Sequence, residues 1–537
     1  MASLPIPGSV VLVDLDGHVG GPHSASHNDI ILHPTPSRDI NDPLNWGKWR
    51  KQVHFAMLML YTLTAGIAGT AFNSVLLPFS AESGVPLGDL IAGIGYMFLL
   101  LGWGGLVTQP LAMTFGKRPM YLISQIGHLG MVCWMPFIHS SGIWFANRIL
   151  VGIFVSPIEM LVEISIADIV RAVRRRPLTF QFFAHERGFY MGLYVIFLVG
   201  GNYIAPVWAG FANDAFGYKW VFWISAIQLA AGTIIMALFM EETNYIRGTS
   251  ELQEQHDAAA PSDAEKNSDA KDDVVVHTVT AERGLEGTEY SFVQKLALYR
   301  QMYTDIPTLY AQIYRPLIFL RYPVVVWSGF LYGASVMWYN VLNATASVLF
   351  TEVYGFSPSG VGLTYLGPTI GATLAGLLSG WAADVWLLRQ ARRKGGVREP
   401  EDRLWLVAFI TVLFPAGLIL WGVGAAKQIH WIGLVIGGGI VAATGASAAT
   451  FSINYVLDSY KDLGGEVVLT NTMSFAMNYA ITPWLTMGYQ NTFIMAALLG
   501  MALYATFYPV ILFGKRWRKA SAKSYWGYVE SSVMAGH

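Results

Sequence analysis

Residues 91–113 read IAGIGYMFLLLGWGGLVTQPLAM, and this stretch decides the class of fold because it contains no charged side chain. A bilayer core about 30 Å thick needs roughly 20 apolar residues in a helix that rises about 1.5 Å per residue. The stretch therefore predicts a membrane-spanning helix. Of the 537 residues in the chain, 54% are hydrophobic and 13% are charged, which leaves more apolar surface than one soluble core can bury.

Eleven further segments have a similar length and apolar character. Together the predicted spans 1 to 12 are 52–79, 91–113, 120–140, 143–168, 188–211, 219–240, 321–350, 358–386, 404–425, 429–456, 466–487 and 490–513. The eleventh has the weakest signal, because it contains several polar side chains. We predict an all-α membrane protein with twelve transmembrane helices in two halves of six.

Lysine and arginine residues predict the orientation, because they accumulate on the cytoplasmic side of membrane proteins. With the N-terminus inside, 31 of the 34 basic residues lie in cytoplasmic segments, and only Arg148, Lys219 and Lys427 do not. We therefore expect both termini to be cytoplasmic. The predicted domains are an N-terminal tail (1–51), a first half (52–246), a cytoplasmic linker (247–315), a second half (316–513) and a C-terminal tail (514–537).

Two polar segments interrupt the apolar pattern. Residues 251–273 in the linker contain no aromatic residue and consist largely of Ala, Asp, Glu, Gln and Lys, which predicts disorder. Residues 170–181 follow span 4 and contain four arginines. They can be interpreted as a basic cytoplasmic loop or as a translated retained intron, and the sequence leaves both interpretations open.

Four short motifs lie within the spans or next to their ends: NDPLNW at 41–46, HERG at 185–188, DSY at 458–460 and NTMSF at 471–475. Taken in this order, they resemble the signatures of the major facilitator superfamily, specifically its fungal twelve-helix drug:proton antiporters. The resemblance covers nearly the whole chain outside the linker. It implies two six-helix halves around a central cavity and proton-coupled transport of small organic molecules.

The resemblance also implies roles for residues in spans 4 and 5. A Gly-Pro motif that the family associates with antiport has its counterpart at Pro206 and Gly210, although Ala205 and Ala209 replace two expected glycines. Arg148 matches the family's basic motif in span 4, where the arginine is implicated in proton handling. An arginine that extends to the outer interface is the alternative.

The family's loop motif between spans 2 and 3 has its counterpart at Gly116, Lys117 and Arg118, but the acidic residue that normally precedes the glycine is missing. The corresponding motif in the second half keeps an acid at Asp384. We therefore expect the gating charge network on the cytoplasmic side to be incomplete in the first half.

Ionisable side chains inside a span are strong indications of function, since a charge at the bilayer centre costs about 3 kcal/mol or more. Glu159 and Glu163 are spaced i, i+4 in span 4, so both point to the same side of a helix. We predict that they couple transport to protons together with Arg148. A structural pair bonded to neighbouring hydroxyl groups is the alternative.

The predicted substrate-binding residues are polar or aromatic side chains on spans that border the central cavity in this fold. They are Asn73, Glu159, Trp338, Asn340, Asn454 and Asn478. Apart from Glu159, each of these residues can instead form a hydrogen bond that only stabilises the packing of the helices.

The sequence favours a proton-coupled antiporter that exports hydrophobic drugs, secondary metabolites or organic cations. A proton-coupled importer of an organic cation such as a polyamine and a non-transporting sensor are the alternatives. No phosphate-binding loop and no His/Cys cluster at metal spacing is found, so we expect no enzyme activity, cofactor or metal. A net charge of -1 gives no reason to expect a nucleic-acid partner. We expect a monomer in the plasma membrane.

Overall fold

The structure is a computed structural model. It describes residues 6–8, 10–11, 41–169, 186–244, 294, 296, 313, 317–394, 397–460 and 465–534. The basic segment 170–181 and the linker residues 251–273 lie outside these ranges. The described chain is helical except for its connecting turns and two short antiparallel strands, β1 (Val10–Val11) and β2 (Val397–Arg398).

Helices α1 to α8 account for spans 1 to 6 of the first half. Their bounds are α1 (Lys48–Thr70), α2 (Leu76–Ser83), α3 (Leu87–Phe115), α4 (Lys117–Trp134), α5 (Ser141–Val155), α6 (Pro157–Ile169), α7 (Glu186–Phe216) and α8 (Tyr218–Phe239). Span 1 consists of α1, a 3-10 helix at Ala71–Val75 and α2, and span 4 consists of α5 and α6.

Helices α9 to α17 account for spans 7 to 12 of the second half. Their bounds are α9 (Pro323–Glu352), α10 (Pro358–Thr364), α11 (Leu366–Arg393), α12 (Val407–Leu418), α13 (Gly424–Ala426), α14 (Trp431–Ser459), α15 (Gly465–Leu485), α16 (Tyr489–Ala505) and α17 (Phe507–Met534). Span 8 is α10 with α11, span 9 is α12 with α13, and α16 leads into α17.

Nine helical segments of the described chain are long and apolar enough to cross a membrane. The helices of spans 3, 7 and 11 have 18, 30 and 21 residues but are more polar. The sequence pattern predicts the weak signal of span 11 but not that of spans 3 and 7. Most of α9 is buried, so its polar side chains lie against protein.

Span 4 is broken next to its two glutamates. Helix α5 ends at Val155, and α6 begins at Pro157. Proline suits the first position of a helix, because the N–H group that it lacks has no partner within the helix there. The break places Glu159 in the first turn of α6 and Glu163 one turn further along.

The two halves pack against each other along two seams. Span 2 contacts span 11, and span 5 contacts span 8. Glycines permit the close approach: a Cβ atom on Gly95 would lie 2.9 Å from Cβ of Asn478 at the first seam. The site described below lies between these seams.

Candidate functional site

Glu159 is a buried carboxyl group, with only 4% of the residue exposed. Its Oε2 atom accepts a hydrogen bond of 2.7 Å from Nδ2 of Asn471 in α15. Since α6 belongs to the first half and α15 to the second, this hydrogen bond joins the two halves. The partner of Glu159 in this contact is thus an amide, and not one of the hydroxyl groups considered in the sequence analysis.

Glu163 lies one turn beyond Glu159 and is also buried. Tyr194 of span 5 is close to both carboxyl groups and donates its hydroxyl to the main-chain oxygen of Ile158. The structure therefore places the predicted i, i+4 pair on the protein side of span 4, within reach of spans 5 and 11.

Arg148 is 1% exposed, so it does not extend to the outer interface. Its Nη2 and Nε atoms donate to Oδ1 of Asn147 at 2.7 and 3.2 Å. The guanidinium carbon lies 4.4 Å from the ring centre of Trp144 and 5.2 Å from that of Phe72. Sulfur atoms of two methionines, Met135 and Met97, lie 3.1 and 4.0 Å from the nitrogens. Every contact of Arg148 in the described chain is thus with a neutral group.

A narrow cavity opens between the halves, where spans 1, 2 and 7 meet. It is lined by Gly69, Thr70, Phe72, Asn73, Ile94, Met97, Phe98, Tyr339, Asn340 and Asn343. The structure therefore brings together two of the predicted substrate residues, Asn73 and Asn340, which are both 3% exposed.

The other predicted substrate residues lie elsewhere. Nδ2 of Asn454 donates to the carbonyl of Thr450, and Nδ2 of Asn478 donates to that of Ser474, each four residues back in its own helix. Trp338 packs on Phe414, with ring centres 5.3 Å apart. The lining of the cavity does not include these three residues, and a role for them in substrate binding stays a prediction.

Sequence reasoning missed Tyr339 and Asn343 in the cavity lining, and it included Asn471 only as part of a family motif. The available signal for Asn471 was the polar content of span 11. The i, i+3 and i+4 spacing of the lining residues in α9 was a second signal, because it places Tyr339, Asn340 and Asn343 on one side of that helix.

The loop between spans 2 and 3 has acidic partners despite its missing acid. Lys117 forms an ion pair with Asp168 at the end of span 4. The carboxylate of Glu242, just after span 6, accepts hydrogen bonds from the main-chain N–H groups of Lys117 and Arg118 at 3.1 and 3.0 Å. The acid that is missing from this loop thus has counterparts elsewhere in the chain, Asp168 in α6 and Glu242 after α8, and a gating role for the loop stays a prediction.

The Gly-Pro motif of span 5 lies in the seam with span 8. A Cβ atom on Gly210 would overlap the main-chain carbonyl of Pro358 and lie 2.9 Å from Cα of Ser359. Four residues beyond Gly210, Oδ2 of Asp214 accepts a hydrogen bond of 3.1 Å from the N–H group of Ser359. Asp384 lies in α11, and its side chain is outside the described part of the structure.

Residues 55–483 match the family model described as Major Facilitator Superfamily. The chain belongs to the Major Facilitator Superfamily. It is 26% identical to an uncharacterized MFS-type transporter of Schizosaccharomyces pombe, over 98% of this chain and 94% of that protein. It is 25% identical to Protein HOL1 of Saccharomyces cerevisiae, over 92% of this chain and 91% of that protein.

A solved structure has a similar fold. The crystal structure of the human organic anion transporter MFSD10 covers 86% of this chain and 99% of its own, with a TM-score of 0.52 and 13% sequence identity. At this identity the similarity concerns the fold alone. As a member of the Major Facilitator Superfamily, the chain is a multi-pass membrane transporter of small molecules.

Proposed function

We propose that this transporter is a proton-coupled antiporter that exports small organic molecules, such as hydrophobic drugs, secondary metabolites or organic cations, across the plasma membrane as a monomer. The observation that carries the proposal is the buried carboxyl group of Glu159, which accepts a hydrogen bond from Asn471 of the opposite half. A group that can bind a proton therefore lies at a contact between the two halves.

Two influences on Glu159 oppose each other. Burial away from water favours the neutral, protonated form of a carboxyl group. The hydrogen bond from Asn471 favours the charged form, because an ionised carboxylate is the stronger acceptor. A cation beside Glu159 also favours the charged form, so a proton and a cationic substrate compete for this group.

Glu163 strengthens this competition. Two carboxylates one helical turn apart repel each other, and ionisation of one therefore opposes ionisation of the other. Protonation also changes Glu159 from a group that only accepts hydrogen bonds to one that can donate. It also removes the negative charge that strengthens the hydrogen bond from Asn471, so the contact between the two halves weakens when the proton binds.

The test uses the full-length protein reconstituted in lipid vesicles with a pH-sensitive dye inside. A panel of organic cations and hydrophobic drugs is added under an imposed pH gradient. We expect a substrate to produce proton flux in the wild type, and Glu159→Gln to abolish that flux while the protein stays folded. Glu163→Gln should weaken it or shift its pH dependence. Glu82→Gln, at an exposed carboxylate, is the control and should behave as the wild type.

If both Gln variants keep the wild-type rate across roughly pH 5 to 8, where buried carboxyl groups titrate, the two carboxylates are packing residues. Uptake and efflux of the same panel in transporter-deleted yeast then establishes direction. Accumulation of an organic cation driven by the proton gradient would replace export by import as the function.

A further inference from the structure

The cavity between spans 1, 2 and 7 offers hydrogen bonds but no charge of its own. Its polar side chains are those of Thr70, Asn73, Tyr339, Asn340 and Asn343, and none of its lining residues is acidic or basic. Carboxamides and hydroxyl groups bind oxygen atoms of a ligand well, because they donate hydrogen bonds without themselves requiring a counter-ion.

Two amide groups in this lining, those of Asn340 and Asn343, have a donor that meets no partner in the described part of the chain. Nδ2 of Asn340 makes no hydrogen bond within the described residues, although Asn340 is 3% exposed. A buried amide N–H group without a protein partner is costly, and such groups bind water, an ion or a ligand. A hydrogen-bond acceptor on a bound molecule is a suitable partner.

A positive charge lies directly behind the cavity wall. Phe72 and Met97 line the cavity on one side and contact the guanidinium group of Arg148 on the other. Because the described contacts of Arg148 are all neutral, no carboxylate among them cancels its charge. A charge that is not neutralised acts over a longer distance inside a protein than in water. The cavity therefore lies in the field of this positive charge.

We propose that this cavity is the subsite for an electronegative end of the substrate, a carboxylate or carbonyl oxygen bound by Asn340 and Asn73 in the field of Arg148. The proposal rests on the proposed function, since it assigns chemistry to the molecule that is transported. Glu159 lies eleven residues after Arg148 in span 4, which corresponds to roughly 16 Å along a helix. The substrate class is then a molecule with an oxygen acceptor at its outer end and an apolar or cationic part directed toward Glu159.

The test compares three probes with one phenyl ring each: benzoate, benzamide and benzylamine. They present an anionic acceptor, a neutral acceptor and a cation of similar size. Binding to the purified full-length protein in lipid nanodiscs is measured from the rise in Tm with probe concentration. We expect benzoate and benzamide to bind more tightly than benzylamine.

Variants identify the groups that produce this order. Asn340→Leu should raise the Kd of benzoate and benzamide about tenfold, as expected for the loss of one hydrogen bond to a buried partner. Arg148→Gln should weaken benzoate more than benzamide, and Arg148→Lys should restore part of the difference. Asn491→Leu, at an exposed amide of α16, is the matched control and should change neither.

The proposal is overturned if Asn340→Leu leaves the Kd of benzoate and benzamide unchanged, or if it weakens benzylamine, which can bind beside Glu159, by the same factor. It is also overturned if Arg148→Gln weakens benzoate and benzamide equally. Should Arg148→Gln fail to fold, Asn340→Leu and Asn73→Leu decide the outcome. The binding assay needs no proton gradient, so a failure of proton coupling leaves its result unchanged.

Discussion

Gly362 of α10 and Pro206 of α7 approach so closely that a Cβ atom on the glycine would lie 2.5 Å from the carbonyl oxygen of the proline. One turn further along span 5, Gly210 makes the equivalent contact with Pro358. Span 5 and span 8 thus touch through main-chain atoms on both sides of the seam. Since no flexible side chain lies between them, the seam cannot absorb an added methyl group without a shift of one helix.

We predict that Gly210→Ala weakens this seam. The added methyl group meets the main chain of Pro358 and Ser359, and overpacking of this kind costs typically about 1–3 kcal/mol. We expect a lower transport rate and a lower Tm. Gly200→Ala in the same helix is the control, since nothing lies within 4 Å of its Cβ position, and there alanine should leave Tm unchanged or raise it. Equal behaviour of both variants would show that the seam is not tight.

A second prediction concerns the loop before α4. Gly116 has a φ of 109°, and a Cβ atom on it would lie 2.6 Å from Oε2 of Glu242. Gly116→Ala should therefore lower Tm more than Gly84→Ala, where φ is 74° but nothing lies within 4 Å. Glu242→Ala should cost about 1 kcal/mol, the usual contribution of a helix N-cap.

Thermal unfolding measures both effects of this second prediction. Glu241 is the control, because it pairs with Arg50 and not with the N-terminus of α4. Arg50→Ala already breaks that ion pair. Adding Glu241→Ala to Arg50→Ala should therefore lower Tm no further, whereas Glu242→Ala should lower it. If Gly84→Ala lowers Tm as much as Gly116→Ala, backbone strain alone explains the requirement for glycine.

The spans could be predicted from sequence because a membrane-spanning helix requires a sufficiently long run of apolar residues, and such runs can be read directly from the sequence. The partners in the site could not. Glu242 caps a helix that begins 125 residues earlier, and Asn471 bonds to Glu159 across 312 residues of chain. A motif search looks for the acid at one position of the sequence. In the folded protein, a carboxylate from a distant part of the chain, such as Glu242, can occupy the same place beside α4. The neutral surroundings of Arg148 likewise depend on packing between several helices.

A third prediction tests the orientation. Because 31 of the 34 basic residues lie in segments predicted to be cytoplasmic, epitope tags at either terminus and within residues 251–273 should be protected in intact cells. Antibody labelling before and after permeabilisation measures this. A tag inserted at Ser140, which precedes α5 at the opposite end of the bundle, should be labelled in intact cells. A linker tag labelled from outside would contradict the orientation.

The end of the second half that carries α17 contains a buried cluster of charges. Arg518 is fully buried, and its Nη2 atom lies 2.6 Å from Oε2 of Glu399 and 2.7 Å from Oε2 of Glu401. Its Nη1 atom donates to the main-chain oxygen of Pro7, which connects the N-terminal segment to this end of the second half. Lys515 also pairs with Glu399, but its side chain is 58% exposed.

We predict that Arg518→Met destabilises the second half strongly, because it leaves Glu399 and Glu401 buried beside each other without their shared cation. Removal of one partner from a buried ion pair costs about 3–5 kcal/mol, whereas an exposed pair contributes about 0–1 kcal/mol. Lys515→Met is therefore the matched control and should change Tm little. Adding Glu401→Gln to Arg518→Met should recover part of the loss, since it removes one of the two repelling charges. Thermal unfolding of the purified variants measures all three, and equal losses from Arg518→Met and Lys515→Met would contradict a structural role for the buried cluster.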